Sequence, residues 1–240
     1  MKIIVCKDYS AMSAKAAEIV AAQINEKADT VLGLATGSTP VGMYDALTEM
    51  NKKGELDFSK VRTVNLDEYY PIAPENDQSY RYFMNLHLFD RINIDKANTH
   101  VPNGQAEDTT VEGANYDKMI ESLGGTDLQV LGIGRNGHIG FNEPDDFLVA
   151  GTHVTALTPD TINANARFFA SEADVPKHAM TMGMATILRA KKILILINGK
   201  EKHNALVEML KGDITTKCPA SLLNLHADVT LVCDEDAYNG

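Results

Sequence analysis

The chain has 240 residues, of which 22 are Lys or Arg and 33 are Asp or Glu, so its net charge is −11. Hydrophobic residues make up 44% of the chain, which is enough for a sizeable core and excludes disorder as its main state. The acidic balance, with few aromatic residues and no Trp, argues against a nucleic-acid-binding module and against general attraction to anionic membranes. A small anionic ligand would need a local basic site.

The three cysteines, Cys6, Cys218 and Cys233, stand far apart in the sequence. An odd number at this spacing predicts reduced thiols and no zinc site. The first apolar run is too short for a signal peptide, and no stretch reaches the ~18 apolar residues of a membrane span. We therefore expect a soluble, cytoplasmic protein.

Short apolar runs alternate with helical patterns along the chain. The predicted strands are Lys2 to Cys6, Thr30 to Ala35, Val61 to Leu66, Leu128 to Ile133, Val154 to Leu157, Lys192 to Ile197 and Val229 to Cys233. The predicted helices are Ser10 to Lys27, Pro40 to Asn51 with Thr39 as its cap, a helix opened by the capping box Thr109 to Glu112, the apolar segment Pro176 to Ala190, and the amphipathic segment Glu201 to Lys211.

This alternation predicts an α/β fold in which a mainly parallel sheet carries helices on both faces. Unbroken apolar runs such as Ile193 to Ile197 are typical of strands buried on both sides. The sequence has no internal repeat and no linker, so we expect a single domain over residues 1–240. Ligands of such sheets bind at the carboxyl ends of the strands, and the segments that follow the strands are therefore the candidate sites.

The segment after the second predicted strand contains Thr36, Gly37, Ser38 and Thr39, and a helix follows it. Small residues let a ligand approach the backbone, and the free N–H groups at a helix start suit a phosphate. An ordinary strand-to-helix turn explains the pattern equally well.

After the third predicted strand come two adjacent carboxylates, Asp67 and Glu68. Carboxylates at a strand end are placed for proton transfer, and apolar neighbours could raise their pKa. In a chain with 33 acidic residues, a solvated acidic turn is the more common explanation.

The segment after the fourth predicted strand contains a formal G-x-G-x-x-G motif, formed by Gly132, Gly134 and Gly137. A dinucleotide site would require a helix to begin here, and the following sequence does not start one. The motif therefore does not indicate a dinucleotide site. We interpret the segment as a glycine-rich loop that presents His138 and Glu143. A His beside a carboxylate suits proton transfer near pH 7, although a structural His bonded to the backbone is the alternative.

Other kinds of site have weak support. The histidines are scattered, and no metal-binding motif or nucleophile elbow is present. The basic residues that could bind a phosphate include Arg135, Arg167, Lys200 and Lys202, and spacing alone does not choose among them.

Seven segments together carry a resemblance to a known family. They are Gly33 to Pro40, Asn65 to Tyr69, Gly132 to Pro144, Asn165 to Phe169, Ala179 to Gly183, Gly199 to Lys202, and Pro219 to Leu223 with Leu225 and His226. In this order they resemble the glucosamine-6-phosphate deaminase (isomerising) family over nearly the whole chain. The resemblance implies a modified doubly wound, Rossmann-like fold with no required metal and no organic cofactor. It also implies a hydrolase of amino-sugar metabolism that turns glucosamine 6-phosphate and water into fructose 6-phosphate and ammonia.

The resemblance also assigns roles to residues. It implies that His138 opens the sugar ring, supported by Glu143 and Asn136, and that Asp67 moves a proton from C2 to C1. It assigns no role to Glu68. The implied phosphate site consists of Thr36, Gly37, Ser38, Thr39, Arg167 and Lys202.

Three departures from the family pattern matter. Some members carry Asp where this chain has Asn136. The segment Asp145 to His153 is atypical, and His153 and Thr155 stand where members activated by an N-acetylated sugar phosphate carry a basic pair. We therefore expect no such activation and a velocity that is hyperbolic in substrate. The sequence also lacks the longer tail of hexameric members, which favours a monomer over a homo-oligomer.

Two other functions compete with this interpretation. A 6-phosphogluconolactonase would also use a loop His and a phosphate site, but it has no need of Asp67 as a proton shuttle. A sugar-phosphate sensor could keep the phosphate loop, but it has little reason to keep Asp67, His138 and Glu143 together.

Overall fold

The computed structural model of the chain describes residues 1–158, 162 and 175–240. Within these residues the strands are β1 (Lys2–Cys6), β2 (Val31–Leu34), β3 (Arg62–Asn65), β4 (Asp67–Tyr70), β5 (Thr99–His100), β6 (Leu128–Leu131), β7 (His153–Ala156), β8 (His178–Thr181), β9 (Lys192–Ile197) and β10 (Val229–Asp234). The α-helices of the same residues are α1 (Tyr9–Glu26), α2 (Val41–Lys52), α3 (Tyr80–Met84), α4 (Thr109–Ser122), α5 (Met184–Leu188), α6 (His203–Leu210) and α7 (Glu235–Asn239). A π-helical turn (Asn85–Phe89) continues α3, and 3₁₀ turns cover Lys96–Asn98, Lys200–Lys202 and Pro219–Leu225.

Seven of the described strands form the main sheet, in the order β1-β10-β9-β6-β2-β3-β5. Every neighbouring pair in it is parallel, as the sequence predicts. A second sheet, in the order β4-β8-β7, is antiparallel. The sequence does not predict this second sheet, and it matters for function because β4 begins with Asp67.

The main sheet is buried on both faces. Along β9, Ile193, Ile195 and Ile197 belong to one apolar cluster, whereas Leu194 and Leu196 belong to another. This alternation is the geometry of a strand, in which successive side chains point to opposite faces. The first cluster packs against α4, α5 and α6, and the second packs against α1, α2 and α3. The prediction of helices on both faces is therefore confirmed. In the described part of the chain, every helix is too short or too polar to cross a bilayer.

The predicted helix from Pro176 to Ala190 is wrong over its first half. Residues 178–181 form β8 instead, because they pair with β4 on one side and β7 on the other. The chain is extended at Gly183, and only then does α5 begin. A Cβ on Gly183 would lie 2.3 Å from the carbonyl oxygen of Gly151, so this close approach of two backbones requires a glycine. Pairing with distant strands overrides the helical pattern.

Two helices begin differently from the prediction. The side chain of Thr39 does not cap α2, because its hydroxyl donates to Asn198 Oδ1 at 2.7 Å and Pro40 occupies the cap position. The capping box at Thr109 is also displaced by one residue. The carboxylate of Asp108 accepts hydrogen bonds from the first turn of α4, and Glu112 accepts one from the backbone of Asn103.

Candidate active site

The turn between β2 and α2 is held rigidly and presents its backbone outward. The hydroxyl of Tyr44 donates to the carbonyl of Ala35 at 2.6 Å, and that of Tyr9 donates to the carbonyl of Ser38 at 3.0 Å. Gly37 has φ +92°, which favours glycine, and it is exposed together with Ser38. The Thr39–Asn198 hydrogen bond ties the turn to the carboxyl end of β9. Residues 36–39 thus form a fixed loop that opens onto a helix start, where backbone N–H groups suit an anion.

Two cations on the loops that follow β9 and β6 come close to each other. Lys202 follows β9 and is half-buried. Burial lowers the pKa of its ammonium group, the nearby charge of Arg135 lowers it further, and Glu201 opposes the shift. Arg135 is exposed on the loop after β6. Of the basic residues that the sequence offers as phosphate ligands, Arg135 is therefore one that lies close to Lys202. The spacing of these residues in the sequence could not show this proximity. The predicted phosphate ligand Arg167 lies outside the described residues.

Asp67 is the first residue of β4, opposite Thr181 of β8, and its exposed fraction is only 6%. A Cβ on Gly140 would lie 3.5 Å from Asp67 Oδ2 and 2.8 Å from Thr181 Oγ1, so the loop that carries His138 packs directly onto this carboxyl group. Burial, assisted by the charge of Glu68, raises the pKa of Asp67 to about 8. The sequence-based alternative of a solvated acidic turn is therefore wrong.

Glu68 is buried as well, with an exposed fraction of 2%. Its carboxylate accepts hydrogen bonds from the backbone N–H groups of Tyr69, Tyr80 and Arg81 at 2.9, 2.7 and 2.9 Å. Burial raises the pKa of Glu68 to about 7, although these hydrogen bonds oppose the rise. No motif in the sequence indicates this arrangement, because two of the three hydrogen bonds come from residues more than ten positions along the chain.

The loop after β6 holds a His–carboxylate pair. His138 Nδ1 lies 3.1 Å from Glu143 Oε2, and the amide of Asn136 donates to the same oxygen at 2.7 Å. The Asn136 side-chain oxygen accepts from the backbone N–H of His138 at 3.2 Å. The side chains of His138 and Glu143 are 25% and 13% exposed, so the pair is sheltered yet open to a ligand. The structure thus brings together the three loop residues named from the sequence.

Glycines shape this loop around the imidazole. A Cβ on Gly134 would lie 2.3 Å from two atoms of the His138 ring, so only glycine leaves room for that ring position. Gly137 has φ +87°, and its carbonyl accepts from the N–H of Ala220 at 2.9 Å, which fixes the loop to the 3₁₀ turn at Pro219–Leu225. No helix begins at the glycine motif, as predicted.

These loops follow β9, β6, β2 and β3, which are consecutive strands in the sheet order. The predicted site residues of the described chain therefore lie along one edge of the sheet, at the carboxyl ends of its strands, where open α/β sheets bind ligands. Among the residues that the structure describes, no group of three or more His, Cys, Asp or Glu side chains is arranged to hold a metal ion.

Comparison with known proteins places the chain in a family. The profile of the family described as "Glucosamine-6-phosphate isomerases/6-phosphogluconolactonase" matches residues 8–232. A glucosamine-6-phosphate deaminase of Clostridium beijerinckii is 55% identical over 239 residues, covering 100% of this chain and 99% of that protein. One of Thermoanaerobacter pseudethanolicus is 57% identical over 237 residues, covering 99% and 94%.

Solved structures give the same result. A monomeric glucosamine-6-phosphate deaminase has a TM-score of 0.97 at 46% identity and covers 100% of this chain and 99% of its own. A 6-phosphogluconolactonase of Thermotoga maritima has a TM-score of 0.74 at 24% identity, covering 97% and 98%, and so shares the fold alone. Full-length identity to deaminases, with only fold likeness to this lactonase, separates the two groups. The chain therefore belongs to the glucosamine-6-phosphate isomerase/6-phosphogluconolactonase family, and within it to the glucosamine-6-phosphate deaminases.

Proposed function

We propose that this enzyme converts glucosamine 6-phosphate and water into fructose 6-phosphate and ammonia. The observation that carries the proposal is the contact of the buried carboxyl group of Asp67 with Gly140, on the loop that also holds the His138–Glu143 pair. This contact brings a strong carboxylate base and a proton-transferring His to one place, which an aldose–ketose isomerisation requires.

The first step we propose is ring opening by His138. The imidazole moves the proton of the anomeric hydroxyl to the ring oxygen, so that C1 becomes an aldehyde. The contact of Nδ1 with Glu143 favours the tautomer in which Nε2 is the atom that exchanges this proton. Asn136 holds Glu143 from the other side, and so fixes the ring orientation indirectly.

The second step is a proton transfer by Asp67. The carboxylate removes the proton at C2 while the ammonium group of the substrate gives a proton to O1, so that an enolamine forms. Asp67 then returns its proton to C1, which leaves a protonated imine at C2. Water then adds to the imine and ammonia leaves, so that the ketone of fructose 6-phosphate forms. A base with a pKa of about 8 removes a carbon-bound proton more readily than an ordinary carboxylate does. An ammonium group on the bound substrate favours the ionised form of Asp67 at the moment when it is needed.

We assign the substrate phosphate to residues 36–39 together with Lys202 and Arg167. Support comes from the rigid loop at the start of α2 and from its hydrogen bond to Asn198, four residues before Lys202. Local cations and backbone N–H groups offset the −11 net charge of the chain where the anion binds. The proposed chemistry uses no metal and no organic cofactor.

The test is product formation from glucosamine 6-phosphate by the wild type, by Asp67→Asn and by Asp29→Asn, each with and without EDTA. Asp29 is a matched control because its side chain is 65% exposed. We expect equal amounts of ammonia and fructose 6-phosphate, a loss of roughly 10²- to 10⁴-fold in Asp67→Asn alone, and no effect of EDTA.

Other outcomes of this test would overturn the proposal. Full activity of Asp67→Asn would remove Asp67 from the mechanism. No turnover by a folded wild type, combined with hydrolysis of 6-phosphogluconolactone, would move the assignment to the lactonase reaction.

We further propose that the enzyme works as a monomer in the cytoplasm. A monomeric relative at 46% identity over the full chain supports the oligomeric state. Cys6, Cys218 and Cys233 are all free thiols, which suits a reducing compartment. Cell fractionation checks the location, since recovery in an oxidising compartment would contradict it.

A further inference from the structure

The mechanism proposed above leaves one buried ionisable group unused, the carboxyl group of Glu68. Both of its oxygens are engaged: Oε1 accepts from the N–H groups of Tyr69 and Tyr80, and Oε2 accepts from that of Arg81. Two of these donors belong to the first turn of α3, whose other cap is the hydroxyl of Ser79, which accepts from Tyr82. The carboxylate of Glu68 is therefore fixed in position rather than free to reorient.

Glu68 and Asp67 are consecutive residues of β4, so their side chains leave opposite faces of the strand. Asp67 faces the His138 loop, and Glu68 faces α3. Tyr80 connects Glu68 with the His138 loop. Its N–H donates to Glu68, and its ring stacks on Phe141, with centroids 6.2 Å apart and planes 6° apart. Phe141 directly follows Gly140, which lies against Asp67.

His138 lies on the loop that packs against Asp67, two residues before Gly140. The remaining titratable groups that face Asp67 are phenols, which are uncharged near pH 7. They are Tyr44 on α2, Tyr80 on α3 and Tyr116 on α4, and burial raises the pKa of each phenol well above its ordinary value. The hydroxyls of Tyr44 and Tyr116 donate to backbone carbonyls. Among the described residues, Glu68 is therefore the one anionic group whose charge acts on Asp67.

The negatively charged form of Glu68 is stabilised by its surroundings. Besides its three N–H donors, it faces Arg81, whose guanidinium is held by Thr99 through hydrogen bonds of 2.8 and 2.9 Å. The three N–H donors and Arg81 lower the pKa of Glu68, whereas the charge of Glu68 raises the pKa of Asp67, so we expect Glu68 to ionise before Asp67. Its negative charge is then in place while Asp67 titrates.

We propose that Glu68 is a positioning residue that strengthens Asp67 as a base, by holding a fixed negative charge on the far face of β4. This inference rests on the proposed function, in which Asp67 is the proton shuttle. Glu68 contacts no reacting atom, and it acts through the proton affinity of its neighbour.

The first test is the pH dependence of kcat/KM in the wild type, in Glu68→Gln and in Ser79→Ala. Removing the charge weakens the proton affinity of Asp67, so we expect the acid limb of Glu68→Gln to move to lower pH by roughly half a unit or more. We also expect its plateau value of kcat to fall, because the base is weaker. Ser79→Ala removes the other cap of α3 without removing a charge, so we expect a lower Tm and an unmoved acid limb.

A second measurement determines the titration midpoint of the Asp67 carboxyl group without substrate turnover. NMR of the carboxyl carbons follows this titration. The signal that is absent from the spectrum of Asp67→Asn belongs to Asp67, and its pH dependence gives the midpoint. In the wild type we expect Glu68 to titrate below Asp67, and the Asp67 signal to respond to both steps. Glu68→Asp keeps the charge with one methylene less, so its Asp67 midpoint should stay near that of the wild type, whereas that of Glu68→Gln should drop.

The outcomes separate the two proposals. An Asp67 midpoint that is the same in the wild type and in Glu68→Gln, or that drops equally in Glu68→Asp, overturns the role of Glu68. Should Glu68→Gln not fold, a wild-type Asp67 signal with no response to the ionisation of Glu68 overturns it as well. Coupled midpoints in an enzyme that forms no ammonia would retain the electrostatic link between the two residues and reject the deaminase function.

Discussion

The carboxyl groups of Asp67 and Asp29 are alike in water, but the fold places them in different surroundings. Asp29 is 65% exposed and lies 3.8 Å from Arg62, a loose surface pair of little energetic weight. Asp67 is buried beside Gly140 and Thr181, where its charged form loses hydration. The sequence identifies Asp67 as a candidate through its motif, but it cannot reveal this burial, because burial depends on residues far along the chain.

Asp67 should also make folding stability depend on pH. Its pKa in the folded state is about 8, raised from an ordinary value of 3.8, so the folded state binds more protons than the unfolded state between these values. The unfolding free energy of the wild type relative to Asp67→Asn should therefore fall by about 1.4 kcal/mol per pH unit across that window, and become constant above it. Urea unfolding of both proteins at a series of pH values measures this, and a constant difference would contradict the burial of an ionisable Asp67.

Lys202 and Lys200 lie two residues apart on one 3₁₀ turn, but they differ in exposure, since Lys200 is exposed and Lys202 is half-buried. We expect Lys202→Ala to raise KM roughly ten- to a hundredfold through loss of a charge-assisted hydrogen bond to the phosphate. Lys200→Ala should leave KM nearly unchanged. Equal effects of the two variants in steady-state kinetics would refute a specific role for Lys202.

The substitution Gly134→Ala tests how closely the loop after β6 fits around the imidazole of His138. A Cβ at this position would require the His138 ring to move, since it would lie 2.3 Å from the ring atoms. We expect Gly134→Ala to lose roughly 10²-fold in kcat, because a displacement of about 1 Å is enough to spoil a proton transfer. Inhibition by inorganic phosphate should persist, since residues 36–39 belong to another loop. An unchanged kcat in a folded variant would show that the ring position is unimportant.

At the scale of elements, unbroken apolar runs are the most reliable signal. The predicted bounds of β1 and β9 agree with the structure, because five or six consecutive apolar or strand-forming residues permit few alternatives. Strands β4 and β8 are missed, since Asp67–Tyr70 begins with two acids and His178–Thr181 belongs to a segment with a helical pattern. What makes them strands is mutual pairing across more than a hundred residues, and a local pattern carries no information about that pairing.

The connection that leads to β7 depends on a single carboxylate of α4. Asp117 accepts hydrogen bonds from the N–H and hydroxyl of Thr152 at 2.9 and 2.5 Å, and from the hydroxyl of Thr186 at 3.0 Å. We expect Asp117→Ala to lower the unfolding free energy by about 1–3 kcal/mol, because Thr152 and Thr186 are buried and their donors lose this acceptor.

The control for Asp117 lies on the same helix. Glu121 makes an exposed contact with Arg189 at 3.5 Å, with both side chains 65% exposed. Glu121→Ala should therefore change stability very little. Urea unfolding compares the two variants, and equal losses of stability would show that Asp117 does not anchor this connection.

At the scale of the whole molecule, the composition of the proposed anion site explains how a chain with a net charge of −11 can bind an anionic substrate. The proposed anion site gathers backbone N–H groups and a half-buried Lys at one edge of the sheet. The sequence predicts the parallel sheet, its helices on both faces and the edge where ligands bind. The proximity of Arg135 to Lys202 arises only when β6 and β9 become neighbours.

The proposed monomer predicts simple behaviour in solution and in kinetics. Light scattering should give a mass near the 26.2 kDa of one chain at all practical concentrations. We expect velocity to be hyperbolic in glucosamine 6-phosphate, because the family resemblance places His153 and Thr155 where activated members carry a basic pair. A hexameric mass, or a sigmoidal curve relieved by N-acetylglucosamine 6-phosphate, would contradict both expectations.

The edge position of β1 has a consequence for synthesis on the ribosome. Among the described strands its one partner in the main sheet is β10, with Lys2 opposite Thr230 and Cys6 opposite Asp234. At an elongation speed of roughly 5–20 residues per second, roughly ten to fifty seconds separate the emergence of these two strands. Throughout that interval the apolar segment Ile3-Ile4-Val5 has no strand to pair with, and the nascent chain exposes it to chaperones. The sheet closes only after β10 has emerged.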